Sequence, residues 1–262
     1  MLNWADQFNI CCFLDNHQYH SAHHSMECLL AAGSLKTIKA NAGNAFASLD
    51  EFLQSADRDW LFGHLGYDLK NELESLNSAH PDGIAFPDLF FYVPEVVAQL
   101  TKTSLIIGVT GESHEAIFHS IGTMVTDRDN RNNAINIGAR FSQQEYIAAV
   151  ERLKKHILRG DCYEINFCQE FFSENAVIHP LELYRSLSVS SPNPFSAYYK
   201  LEDKYLVCMS PERYLKRSGN HIISQPIKGT AKRDHDNPFR DELNKNRKRK
   251  SRKYHGRRPG EE

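Results

Sequence analysis

The sequence contains no run of about 18 apolar residues, so it offers no candidate transmembrane helix. Its opening, MLNWADQFNICCFLDN, has no basic region ahead of the apolar part and does not have the form of a secretory signal. The six cysteines, at positions 11, 12, 28, 162, 168 and 208, form no C-x-x-C pair, and several sit inside apolar, strand-like runs. That usage fits reduced, buried thiols in a cytoplasmic protein better than a disulfide framework. Neither G-x-x-x-x-G-K-[ST] nor G-x-G-x-x-G occurs, which leaves GHLGYDLKNELE (63–74) little weight as a phosphate loop. There is no internal repeat.

What is present is ordinary globular material: 262 residues, 41% hydrophobic and 24% charged. This is enough for one large domain or two small ones. The net charge of −2 conceals an asymmetry. Residues 244–262, NKNRKRKSRKYHGRRPGEE, hold nine Lys and Arg against two Glu, about +7. The rest keeps 22 of the 31 basic and 31 of the 33 acidic residues, about −9.

Four stretches follow from local pattern. Residues 1–125 read as a mixed α and β N-terminal region, with strand-like NICCFLDN and PDLFFYVPEVVAQL and a helical repeat of Phe46, Leu49, Phe52 and Leu53. Residues 126–141, TDRDNRNNAINIGARF, read as a polar linker. A second region, 142–243, opens on the capping box SQQE, with Ile147, Val150, Leu153 and Ile157 on one helix face and Gly160 as its stop. After DCYEINFCQEFF and a helix-like HPLELYRSLSVSS come three strand candidates, FSAYYKL, KYLVCMS and HIISQPIKG, punctuated by ED and SGN. Residues 244–262 are the basic tail.

Three groups of side chains are chemically suggestive. His17, His20, His23 and His24 have spacings able to bind zinc, but no second ligand cluster follows, and an exposed polar loop is the stronger reading. Glu212 follows Ser-Pro at a strand end, where a solvated surface turn is the ordinary outcome. Lys228 stands between Pro226-Ile227 and Gly229-Thr230, sixteen residues beyond Glu212, with SGN (218–220) about midway. Were the two strands paired, the carboxyl and the amine would lie near opposite each other. That arrangement serves either acid–base and nucleophilic work or a cross-strand ion pair of little worth.

GDCYEINFCQEFF, NPFSAYYKL, SPERYL and QPIKGTAKR, in this order and spacing, resemble the chorismate-utilising enzymes. FLDN near the start and GYDLKNELE resemble the N-terminal region of the aminodeoxychorismate synthase component I branch. The resemblance covers most of residues 10–243. It implies an α+β fold, a layered sandwich of antiparallel sheets flanked by helices. Lysine at position 228 matches the aminodeoxychorismate branch; anthranilate synthases typically carry alanine there. Glu164 stands where the isochorismate and salicylate branch has its water-activating lysine.

The chemistry implied is addition of a neutral Lys228 amine at C2 of chorismate, with a shift of the diene and loss of the C4 hydroxyl. Ammonia then adds at C4 and expels the lysine. By the same resemblance Glu212 is the general acid for the departing hydroxyl, and the Gly229–Thr230 backbone cradles a substrate carboxylate. Magnesium is the implied cofactor, with its ligands further along the family pattern than this chain's matched motifs. The implied partners are chorismate and a glutamine amidotransferase subunit that supplies ammonia, with no nucleic acid and no membrane. Anthranilate synthase component I and an inactive, truncated chorismate-binding remnant are the alternatives.

The resemblance also implies a segment of the form E-N-(M/I)-V-D-L-x-R-N-D after DELN (241–244). Codons exist for residues 244–262 that, read one nucleotide later, spell IKTEKENRENIMVVDLVRND. The tail is therefore expected to be an out-of-frame product, and a chain carrying it to be poorly active. A nucleic-acid-binding tail is the rival reading of the same residues.

Overall fold

The computed structural model describes residues 1–19, 26–55, 59–74, 76–78, 80–124 and 135–225. The described residues among 1–127 and 180–262 form one compact unit, and those among 128–179 form another.

The first unit is built on a six-stranded sheet whose neighbours all run antiparallel. After the short helix α1 (Leu2–Ala5) come strands β1 (Ile10–Asp15), β2 (Cys28–Ala32) and β3 (Lys36–Ala40), then helix α2 (Ala45–Ser55). Strand β4 (Phe62–Leu65) leads through a 3-10 turn (Tyr67–Leu69) into α3 (Lys70–Leu73). Strands β5 (Leu89–Val93), β6 (Val96–Leu100) and β7 (Leu105–Val109) precede helix α4 (His114–Thr123). The second unit holds β8 (Gly138–Ala139), α5 (Gln143–Arg159) and β9 (Phe171–Phe172). The chain then returns to the first unit with α6 (Pro180–Ser190), β10 (Phe195–Leu201), β11 (Lys204–Ser210), β12 (Arg213–Ser218) and β13 (His221–Gln225).

The large sheet has the order β11-β10-β1-β2-β6-β7 and so takes strands from both sides of the polar 126–141 segment. β1 is one of its two central strands, bonded to β2 on one side and to β10 on the other. Because successive strand side chains point to opposite faces, β1 sends Cys11 and Phe13 one way and Cys12 the other. Cys11 and Phe13 join Leu30, Ala98 and Tyr198 in a core capped by Trp4 of α1, Ile117 of α4 and Tyr184 of α6. Cys12, Leu29, Ala31 and Tyr199 meet Phe62, Phe90 and Tyr92 from a second sheet, β3-β5-β4. Cys11 and Phe13 on one face and Cys12 on the other are buried, which explains an apolar run there where a half-exposed strand would alternate. The outer face of the small sheet packs Leu89 against Ala45 of α2 and Leu69, with Phe46 and Leu49 alongside. Helices, large sheet, small sheet and helix thus form the α+β layered sandwich expected.

Gly63 has a reason in this packing. A Cβ there would lie 1.9 Å from the carbonyl oxygen of Phe90 on β5, so only glycine permits the β4–β5 approach. The glycines of GHLG therefore serve strand packing and a turn. The histidine-rich stretch begins as a tight turn, with His17 and Gln18 in the left-handed region at φ +48° and +59°. The Asp15 and Asn16 side chains accept their backbone N–H groups. His20, His23 and His24 lie outside the described residues.

The thiols differ from the expectation of uniform burial. Cys11 and Cys12 are buried, Cys28, Cys162 and Cys208 are half-buried, and Cys168 is exposed.

In the second unit, Ser142 and Glu145 form the reciprocal capping box of α5, and Gly160 ends the helix with φ +91°. Arg140 stacks on Phe172 at 3.8 Å and bonds Glu170 at 2.6 Å beside the β8–β9 pair. On the apolar face of α5 Ile147 is 52% exposed and Ile157 37%, and Ala149 is the helix's buried residue. Of DCYEINFCQEFF only Phe171–Phe172 is strand, since β8 offers just two residues for pairing.

Candidate active site

Glu212 sits between β11 and β12. Pro211, which has no N–H to donate, separates the two strands. The Ser210 hydroxyl fixes the corner: its Oγ accepts the Glu212 backbone N–H at 3.1 Å and donates to the Glu212 carbonyl at 3.0 Å. The Glu212 residue is exposed.

β12 and β13 form the expected hairpin through a two-residue loop, Gly219-Asn220, closed by the pair Ser218↔His221. Gly219 supplies φ +57°. The register departs from the midpoint expectation. That arithmetic places Arg213 opposite Ile227, whereas Arg213 is opposite Gln225. A bulge between Arg213 and Lys216 inserts an extra residue on β12, and the loop is one residue shorter than SGN. Lys228, Gly229 and Thr230 lie outside the described residues, and Lys228 is three positions past Gln225 in sequence.

Arg213, next to Glu212, was not distinguished by sequence pattern. Its guanidinium stacks over the Phe195 ring at 4.8 Å, and desolvation lowers its pKa. The arginine lines a cavity of about 330 Å³ with Leu14, Asp15, Glu27, Phe195 and Leu215. Arg213 Nη1 and Glu27 Oε2 are buried without a hydrogen-bond partner among the described residues. The one signal for Arg213 in the sequence was a charged residue directly after Glu212 at the start of a strand.

Among the described residues no group of three or more His, Cys, Asp or Glu side chains is able to hold a metal ion. Those residues do not by themselves make up a magnesium site. Among the same residues no helix is long and apolar enough to cross a membrane.

This sandwich, with S-P-E at the corner leading into the β12–β13 hairpin, is an α+β fold. A family model described as chorismate binding enzyme matches residues 10–252, and the chain belongs to that family. Anthranilate synthase component 1 of Thermus thermophilus is 29% identical over 66% of this chain and 40% of its own length. Aminodeoxychorismate synthase component 1 of Bacillus subtilis is 27% identical over 72% of this chain and 44% of its own. The chain spans about two fifths of the length of these curated relatives. The crystal structure of anthranilate synthase component I from Streptococcus pneumoniae TIGR4 matches with a TM-score of 0.64 at 18% identity. That match covers 79% of this chain and 57% of the other, and the likeness is one of fold.

Proposed function

We propose that this chain carries part of an aminodeoxychorismate synthase component I, which converts chorismate and ammonia to 4-amino-4-deoxychorismate for p-aminobenzoate and folate synthesis. The observation that carries the reading is lysine at position 228, between Pro-Ile and Gly-Thr, just beyond a hairpin whose first strand begins next to Glu212. In this scheme the Lys228 amine bonds to C2 of chorismate, both double bonds of the ring diene shift one position toward C4, and the C4–O bond breaks. Glu212 gives its proton to the departing hydroxyl, which leaves as water. Ammonia then bonds to C4, both double bonds shift back, and the C2–N bond to Lys228 breaks. Gly229 and Thr230 hold a substrate carboxylate through backbone N–H groups. A glutamine amidotransferase subunit supplies the ammonia, in the cytoplasm.

The matched relatives include both synthases, so anthranilate synthase component I is the second reading. Mass spectrometry of the full chain and of Lys228→Ala after incubation with chorismate separates them. The expected result is a covalent adduct of dehydrated chorismate on the unsubstituted chain and none on the variant. An adduct on both, on neither, or release of anthranilate and pyruvate by the unsubstituted chain would overturn the assignment.

A further inference from the structure

Glu212 stands at a corner that strand pairing does not hold. It belongs neither to β11, which ends at Ser210, nor to β12, which begins at Arg213. Pro211 before it has no N–H to offer. The Ser210 hydroxyl takes over. It accepts the Glu212 N–H at 3.1 Å and donates to the Glu212 carbonyl at 3.0 Å, so both main-chain polar groups of Glu212 are bound by one oxygen. A hydroxyl can hold both because it donates and accepts at once.

Ser210 is itself anchored. As the last residue of β11 it lies opposite Phe195 in the pairing with β10. The same Phe195 carries the Arg213 guanidinium over its ring at 4.8 Å. Glu212 is thus flanked by two residues seated on one position of the large sheet. The reach of an exposed carboxyl is set first by where its main chain is held. A general acid has to come within about 2.6–3.2 Å of the atom it protonates, and a displacement of about 1 Å costs on the order of a hundredfold in rate.

We propose that Ser210 is a positioning residue: its hydroxyl sets the main chain of Glu212 so that the carboxyl proton passes to the C4 oxygen of chorismate as the C4–O bond breaks. This rests on Glu212 as the general acid of the proposed reaction. Ser210 acts through Glu212, so losing its hydroxyl slows bond breaking and leaves substrate binding in place.

The test is a time course of the chorismate adduct on the full chain, without ammonia, followed by mass spectrometry at a series of chorismate concentrations. Ser210→Ala should lower the limiting rate by about ten- to about a hundredfold. Its half-saturating chorismate concentration should stay within about twofold of the unsubstituted chain's. Ser210→Thr, which keeps a hydroxyl on the same carbon, should restore the rate. The final extent of labelling separates positioning from folding. A variant that only folds less completely labels fewer chains at an unchanged rate, whereas Ser210→Ala should label as many chains, slowly.

An Ala variant with the unsubstituted rate, or one altered only in extent or in half-saturating concentration, overturns the proposal and leaves the function standing. So does a Thr variant as slow as the Ala variant. No adduct on the unsubstituted chain overturns the proposed function and this proposal with it. Where Ser210→Ala does not fold, Ser210→Cys, a weaker donor and acceptor, decides by the same readouts.

Discussion

His64 and Tyr199 join the two sheets of the sandwich through a hydrogen bond whose direction is fixed. His64 Nε2 lies 2.8 Å from the carbonyl of Pro87, which only accepts, so Nε2 carries the proton. Nδ1, 3.2 Å from the Tyr199 hydroxyl, is therefore the acceptor of the neutral ring. Phe86 stacks on Tyr199 and meets His64 edge-on, closing the contact from one side. Tyr199→Phe keeps the ring and removes the donor. Its expected cost is about 1 kcal/mol, read as a lower urea midpoint with an unchanged slope; an unaltered midpoint would show the bond to be idle.

Glu72 of α3 acts at a distance in sequence as the cap of α2. Its carboxylate accepts the backbone N–H groups of Ala45, Gly43 and Phe46 at 2.8, 3.0 and 3.1 Å. Desolvation pushes this carboxyl up, and the three N–H donors together outweigh it, so its pKa lies below the ordinary Glu value. A depressed folded pKa gives stability that is full above the unfolded value, about 4.3, and is lost as pH falls through the folded one. Glu72→Gln should therefore lower stability at neutral pH and flatten the acid limb of a melting-temperature profile. An acid limb unchanged in the variant would remove Glu72 from this role.

Two glycines should respond oppositely in size. Gly63→Ala drives a methyl into the Phe90 carbonyl, which as backbone has little room to yield, and should cost about 3 kcal/mol or more. Gly160→Ala meets open space and pays only for its left-handed backbone, about 1 kcal/mol. Denaturant unfolding of the pair checks the order, and equal losses would contradict the packing argument.

Thiol labelling should be sharply graded. Burial, with Asp6 adding to it, pushes Cys11 to a pKa of about 12; burial and then Cys11 do the same for Cys12. At pH 8 their thiolate fraction is on the order of one in ten thousand. Cys168, exposed, should react first with a thiol reagent, and Cys11 and Cys12 only on unfolding. Equal rates for all in the folded chain, followed by peptide mapping, would refute the burial pattern.

The nucleotide sequence across the codon for Asn244 should read IKTEKENRENIMVVDLVRND in the frame one base later. Codons that do not spell it would return the basic tail to its alternative, a polyanion-binding segment.

Features with local causes were legible in the sequence. The Ser142–Glu145 box, the Gly160 stop and the ED and SGN turns each depend on residues within a few positions. Glu212 at a strand corner was legible for the same reason. The sheet order was not, because nothing in NICCFLDN or FSAYYKL names its partner. Nor were the Glu72 cap, the His64–Tyr199 bond, or Arg213 over Phe195, which depend on chain segments brought together by the fold. The hairpin register failed by two residues, one from a shorter loop and one from a bulge, neither of which midpoint counting sees.

The position of β1 has a consequence for how the protein is made. Its partners on β10 run from Leu201, opposite Ile10, to Ser196, opposite Asp15. At about 5–20 residues per second of synthesis, roughly 10–40 s pass between the appearance of β1 and that of the strand that completes its pairing. Through that interval a nascent chain carries an apolar strand with one side open. Its yield in a cell therefore depends on what shields ICCFL while the ribosome finishes, as well as on the stability of the final fold.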